Sequence, residues 1–171
     1  ALRRLNSLTI ASDEFDETIE RLLSLGRDQF GLDTGILSHV EGDDYEVDAV
    51  VDVTGTHEAG AVYDLGDTLC EATLTNGTTE PLAFDNIADT DYQNHPAAEN
   101  VQAYIAAPVV VDGDTYGTVN FSMGKPRSEA FRPGEKEFIK LVAQWIGAEL
   151  ERRHRFEELE RYETILEAVD D

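Results

Sequence analysis

A single cysteine, Cys70, rules out an internal disulfide and any zinc or iron–sulfur site built from several thiolates. No apolar run approaches the ~20 residues that a membrane-spanning helix needs. The opening residues, A-L-R-R-L-N-S-L, lack the charged-then-apolar layout of a signal peptide. Lysine is scarce, with three in the chain (Lys125, Lys136, Lys140), and between Asp28 and Gly124 there is neither lysine nor arginine. Acids run throughout: 36 Asp and Glu face 13 Lys and Arg, for a net charge of −23. Phosphate contacts need Lys and Arg, so direct nucleic-acid binding is not expected, and anionic membranes are disfavoured for the same reason. Self-repulsion on this scale destabilises a compact state unless salt screens it. The chain therefore reads as cytoplasmic and adapted to high salt.

Chemistry-bearing patterns are equally sparse. His57-Glu58 lacks the second histidine of H-E-x-x-H, and Asp112-Gly113-Asp114 lacks the later oxygen ligands of an EF-hand loop. Asp85, Asp89 and Asp91 crowd one loop, as chance allows in so acidic a chain, and no metal site is expected. Asn76-Gly77-Thr78 and Asn120-Phe121-Ser122 match the glycosylation sequon, a coincidence in a cytoplasmic protein. No Ser-His-Asp or Cys-His order stands out and no Gly-rich loop fits a phosphate, so no catalytic residue and no enzymatic activity is expected.

What is present fits one domain. The chain has 171 residues, 41% of them hydrophobic, enough for a real core. Its most telling stretch is Tyr104–Met123, where two β-rich runs flank Asp112-Gly113, a dipeptide suited to a tight hairpin turn. A two-residue loop pairs Val109 with Tyr116, Ala107 with Thr118 and Ile105 with Asn120, leaving Tyr104 opposite Phe121. Alternation then gives the second strand an apolar face (Gly117, Val119, Phe121, Met123) and a polar one (Tyr116, Thr118, Asn120, Ser122). The polar face reads as a platform for a ligand or partner, or as a face that simply meets water.

Helical signals open and close the chain. Leu2, Leu5 and Leu8 mark a short amphipathic helix; Ser12 or Asp13 caps a longer one carrying Phe15, Ile19, Leu22, Leu23 and Phe30, ended by Gly31 and Gly35. Ile36–Val40 and Tyr45–Val53 read as strands, followed by a Gly-rich connection, Thr54–Gly66. Asp67 or Thr68 caps a small helix with Leu69, Cys70, Ala72 and Leu74, closed at Asn76-Gly77; Pro81–Phe84 is a short strand, and Asp85–Asn100 a polar loop with a helical turn or two. Pro133 opens a long helix whose apolar face is Phe138, Leu141, Val142, Trp145 and Ile146. Beyond Leu150 a thin stripe (Phe156, Leu159, Tyr162, Leu166, Val169) and the pairs Glu149–Arg153, Glu151–Arg155 and Glu157–Arg161 suggest a coiled-coil-like helix pairing with a second copy. Both ends read as helix in progress, as in a piece of a longer protein. The fold class is α+β: an antiparallel sheet of five to six strands, terminal helices on one face and a small-helix and loop pocket on the other. The divisions are 1–31, N-terminal helices; 32–150, core; and 151–171, a signalling helix leading to a further domain.

These segments resemble the GAF family of small-molecule sensory domains across nearly the whole chain. Ala107-Pro108-Val109 through Asp112-Gly113 to Tyr116-Gly117-Thr118-Val119 looks like the family hairpin. Leu69-Cys70 followed by Pro81-Leu82-Ala83-Phe84-Asp85 resembles its helix-then-strand segment, and Phe131-Arg132-Pro133-Gly134-Glu135 its closing helix. The tail Glu160–Asp170 looks like the run-in to a PAS domain, which implies a tandem sensor such as a histidine kinase or transcription regulator. The cyclic-nucleotide motif of some members is only partly followed: Phe131 and Glu135 keep their spacing, Gly124 replaces its Asn, and a Lys125–Glu135 ion pair is implied. Bilin attachment lacks a cysteine beside His95; haem could draw an axial ligand only from His39, His57 or His95; sulfoxide-reducing members need several cysteines. The cofactor is left unassigned.

The resemblance places a pocket between the polar sheet face and the Leu69–Asn100 segment. Its ligand-binding residues are expected to be Cys70, Phe84, Asp85, Tyr92, Tyr104, Tyr116, Thr118 and Asn120, a lining that suits a neutral or cationic small molecule. Cys70 is a redox sensor if a helix N-terminus lowers its pKa, or an inert buried thiol. The expected function is non-catalytic small-molecule or redox sensing in a cytoplasmic signalling protein, transmitted through dimeric terminal helices to an adjacent PAS, kinase or regulator domain. The alternative is a ligand-free dimerisation and spacer domain.

Overall fold

The computed structural model describes the backbone over 2–75 and 79–169 and side chains over 14–75 and 79–168. Expectations placed on the side chains of Leu2, Leu5, Leu8 and Val169, and on Asn76-Gly77, lie outside those residues. Helix α1 (Leu2–Phe30) is one continuous rod and not two helices divided at Ser12 or Asp13. A polar residue inside a helix costs only a few tenths of a kcal/mol, so a capping residue alone does not force a break. α1 stops because Gly31 takes φ 67°, which lets Leu32 N–H return 3.0 Å to the Arg27 carbonyl. Gly35, also read as part of that stop, lies instead within the first strand.

Strands β1 (Thr34–Glu41) and β2 (Asp44–Asp52) form a hairpin, and β3 (Val62–Asp64) adds a short edge from within the expected loop. Helix α2 (Cys70–Thr75), β4 (Leu82–Phe84) and three 3₁₀ turns (Leu65–Asp67, Ile87–Asp89 and Pro96–Glu99) precede the long hairpin. That hairpin is β5 (Ala103–Val111) and β6 (Asp114–Met123), and α3 (Pro133–Val169) closes the chain as a 37-residue helix. The six strands run antiparallel in the order β3-β2-β1-β6-β5-β4. The fold is thus α+β, with its first and last strands paired at the centre of the sheet.

The hairpin turn is as its residues suggest: Asp112 and Gly113 take φ 52° and 84°, the two positive values of a type I′ turn. The strand register, however, is shifted by one. Val110 pairs with Thr115 but Val109 pairs with Gly117, so Tyr116 is bulged out of the ladder. Ile105 therefore meets Phe121, and Tyr104 meets Ser122, whereas the unbulged register sets Ile105 against Asn120 and Tyr104 against Phe121. The hydrophobic pattern decides between them: Ile105 and Phe121 are both fully buried under the helices, and the straight register would force one polar residue into that layer. Gly117 permits the bulge, since a Cβ there would lie 1.9 Å from the Ser38 carbonyl oxygen.

Helices α1 and α3 cover one face of the sheet. Ile19, Leu23 and Phe30 from α1 and Ile139, Val142 and Ile146 from α3 enclose Leu37, Ile105, Val119 and Phe121. Phe30 sits at the centre, its ring 5.1 Å from Phe121 and within about 6 Å of Phe131 and Phe138. The buried stripe of α3 is Ile139-Val142-Ala143-Ile146, while Leu141 and Trp145, expected inward, face out at 55% and 39% exposure. Spacing of 3, 1 and 3 residues selects a stripe in which Ala143 and Gly147 are small enough for the helix to lie close on β5.

Candidate functional site

The other face of the sheet is covered by α2 and the 3₁₀ turns, and between them lies a cavity of about 340 Å³. Alternation along β6 and β5, corrected by the bulge, sends Thr118, Asn120, Ser122 and Tyr104 to this side. β1 and β2 contribute Ile36, Ser38, Tyr45 and Val47, and α2 presents Cys70 from its first turn.

At the floor these polar groups bond to one another. Cys70 Sγ lies 2.9 Å from Thr118 Oγ1 and 3.6 Å from the Tyr104 hydroxyl. Thr118 Oγ1 is 2.9 Å from Ser38 Oγ, and Asn120 Nδ2 donates to Thr118 Oγ1 at 3.0 Å and to the Tyr45 hydroxyl at 3.3 Å. Thr73 closes the far end, 3.1 Å from the Tyr104 hydroxyl. All of these groups are buried and none is charged. Burial pushes the Cys70 thiol up and raises both tyrosines well above their ordinary range, so the network is neutral. A thiol held this way is neither a ready nucleophile nor a ready redox centre. The helix-terminus lowering considered for Cys70 does not win against desolvation.

The rim carries a second arrangement. Asp52, its side chain 3% exposed, accepts from Thr34 Oγ1 (3.0 Å), Thr54 N (2.9 Å), Thr54 Oγ1 (2.6 Å), Thr56 Oγ1 (3.3 Å), His57 N (3.2 Å) and His57 Nδ1 (2.8 Å). Burial opposes ionisation, but the donors of Thr54, His57 and Thr34 outweigh it and hold the carboxyl well below the usual range. An ionised carboxylate only accepts, so Nδ1 of His57 carries the hydrogen and Nε2 is left as acceptor in the neutral ring. His57 lines the cavity with Tyr45, Tyr63, Cys70, Tyr104 and Asn120; among the described residues no lysine or arginine does, and Asp67 is the one acid.

The residues expected to bind ligand thus separate. Cys70, Tyr104 and Asn120 reach the cavity, with Thr118 bonded to Cys70 directly beneath. Phe84 and Tyr92 stand behind the wall, Phe84 stacked 5.6 Å from Tyr104 and 6.2 Å from Tyr92. Asp85 lies outside the lining, its carbonyl accepting from Arg127 N at 2.8 Å. Tyr116, carried across by its bulge, is on the helix face, stacked on His39 and donating to Asp48. Glu135 pairs with Arg127 (2.6 Å), which also lies over the Phe131 ring, and not with Lys125. Tyr45 and His57 were not singled out for the lining; alternation along Tyr45–Val53 offered a signal for Tyr45, whereas nothing local marks His57.

A family model for the GAF domain matches residues 12–151. The chain belongs to the GAF domain family. Solved structures agree with the fold: the blue-light absorbing form of the Thermosynechococcus elongatus PixJ GAF domain superposes with TM-score 0.70 at 17% identity, over 89% of this chain and 94% of that one. The GAF domain of Acinetobacter phosphoenolpyruvate-protein phosphotransferase gives 0.66 at 13% identity (91% and 96% covered). A type II free methionine-R-sulfoxide reductase from Thermoplasma acidophilum gives 0.64 at 14% identity (83% and 96% covered). No curated protein matches the sequence. Among the described residues no helix is long and apolar enough to cross a membrane.

Proposed function

We propose that this GAF domain is a non-catalytic sensor that takes a small neutral or cationic molecule into the cavity above Cys70, Tyr104 and Asn120. The observation that carries the reading is the floor itself: a buried, uncharged network with Asn, Thr and Tyr groups, beneath a cavity that no described lysine or arginine lines. Such a lining offers no compensation to an anion that must shed its water, but it hydrogen-bonds a polar neutral group and tolerates a cation beside Asp67. His57, its Nδ1–H held by Asp52, adds a polar ring to the same lining.

Catalysis of the kind named for the sulfoxide reductase is disfavoured by the lone, buried and protonated thiol. A pigment, as in the light-absorbing relative, would have to bind without attachment to Cys70 from within the buried floor. The output would run through α3, whose outer stripe exposes Phe156, Leu159, Tyr162 and Leu166 and suits pairing with a second copy. A PAS, kinase or regulator domain following residues 151–171, in a cytoplasmic protein of a salt-loving cell, fits the helix and the charge of −23. The spacer reading draws on one fact, that the floor satisfies its own hydrogen bonds without a guest.

Native mass spectrometry and an absorption spectrum, on protein purified in high salt, test the two readings. Bound mass, a chromophore, or a thermal shift with a neutral or cationic metabolite that Asn120→Leu abolishes is the expected result. A ligand-free dimer that ignores the metabolite panel overturns sensing in favour of the spacer.

A further inference from the structure

The helix face of the sheet carries a second polar cluster, on the side away from the cavity. It is made by two bulges flanking β1. On β2, Ser38 pairs with Val47 and Leu37 with Ala49, so Asp48 is bulged; on β6 the bulged residue is Tyr116. His39 lies between them on β1, opposite Glu46 on one side and Gly117 on the other. Bulges re-aim side chains, and here both turn toward His39. The Tyr116 ring stacks on the imidazole at 4.2 Å and 4°, and its hydroxyl donates to the Asp48 carboxylate. One donor atom each from His39, Glu46 and Asp48 then lies within 4.8 Å of the others.

We propose that His39, Glu46 and Asp48 form a binding site for a divalent first-row transition ion, such as Zn²⁺, Mn²⁺ or Co²⁺. Bonds of about 2.0–2.2 Å to one ion require donor atoms up to about 4 Å apart, so the three close on a metal with small side-chain adjustments. One imidazole and two carboxylates suit these ions; Mg²⁺ and Ca²⁺ prefer oxygen alone. Tyr116 is the positioning residue: its hydroxyl orients Asp48 while its ring sets the plane of His39, the kind of support that metal ligands use. Among the described residues no hydrogen bond engages either ring nitrogen of His39, so the imidazole is not already committed to a protein partner.

The site opens into a cleft of about 630 Å³ that is also lined by Phe15 of α1 and by Leu150, Arg153 and His154 of α3. Arg153 lies over the Phe15 ring at 5.1 Å, where both terminal helices leave the sheet. A bound cation would place positive charge beside that junction, so occupancy would bear on how the helices pack. This inference stands apart from the ligand cavity and holds whichever reading of that cavity is right.

The test uses the 171-residue chain, stripped with a chelator and kept in high salt to suppress loose cation binding to its acidic surface. Titration with Co²⁺ and Zn²⁺ is expected to give one saturable site per chain. His39→Gln and Asp48→Asn should each weaken it at least tenfold, while Asp85→Asn, remote from the cluster, leaves it unchanged. Should a variant misfold, Mn²⁺ on the unaltered protein decides: amide signals of Glu46 and Gly117 broaden first, those of Phe84 and Ile87, at the far end of the sheet, last. Several weak sites indifferent to His39→Gln, or broadening spread evenly over the surface, overturns the proposal.

Discussion

Asp52→Asn is the sharpest probe of how the cavity rim is held. The change keeps size and shape but turns one acceptor oxygen into an NH₂ donor. One carboxylate oxygen takes Thr34 Oγ1, Thr54 Oγ1 and Thr54 N; the other takes Thr56 Oγ1, His57 Nδ1 and His57 N. Hydroxyls can rotate to accept instead, but a backbone N–H cannot, so either orientation of the amide strands Thr54 N or His57 N. Thr54 N is exposed and His57 N part-buried, so water replaces part of what the stranded donor loses, and the change costs about 1–2 kcal/mol at pH 7, mostly from lost charge assistance. For a chain of this length that lowers Tm by about 2–8 °C. The sign with pH follows from the depressed folded-state pKa of Asp52. Its contribution is fully present above the unfolded value of about 3.9 and is lost as pH falls through the lower folded value. Urea unfolding of both proteins in high salt should therefore show a constant gap above about pH 5 that narrows below about pH 4. Comparing the two proteins cancels the relief of acidic self-repulsion that both gain on protonation. A gap under about 0.5 kcal/mol at pH 7, or one that persists undiminished to pH 3, refutes the reasoning.

Four further outcomes are expected. Gly147→Ala puts a Cβ 2.5 Å from the Val110 carbonyl oxygen, so α3 must lift from β5 and stability falls by about 1–3 kcal/mol in urea unfolding. Native Cys70 should react with a disulfide reagent only at the rate of local opening, with full reactivity in denaturant; fast labelling of folded protein contradicts the burial argument. Dialysis from molar salt to ~10 mM, where the screening length grows to roughly 30 Å, should unfold the chain by circular dichroism, because its net charge is −23; an unchanged spectrum removes the salt-adaptation reading. Leu159→Glu with Leu166→Glu should convert a dimer to a monomer in sedimentation while leaving the core transition within about 0.5 kcal/mol, since both side chains are more than half exposed.

Much of the fold was legible because it rests on local chemistry. Asp112-Gly113 names its own turn, Pro133 its helix start, and the alternation of Val119, Phe121 and Met123 its buried face. The site was legible where alternation alone places a side chain, as for Asn120 and Thr118. It failed where the ladder skips a residue. Whether Tyr104 or Tyr116 faces the cavity turns on one bulge, and that bulge is stabilised by packing of Ile105 on Phe121, a contact between strands, and by the room that Gly117 leaves beside Ser38.

The same limit explains the rim and the second cluster. Asp52 and His57 are five residues apart in a segment read as strand end and loop; only the folded backbone brings three threonine hydroxyls, two amides and the imidazole onto the same carboxylate. His39, Glu46 and Asp48 have no recognisable ligand spacing, because their convergence depends on the β2 bulge. Sites built on regular strands can thus be read from period-two alternation, and sites built on bulges cannot. This chain carries both kinds on opposite faces of one sheet. The two predictions that matter most for its chemistry, at Asp52 and at His39, therefore test three-dimensional placement and not residue pattern.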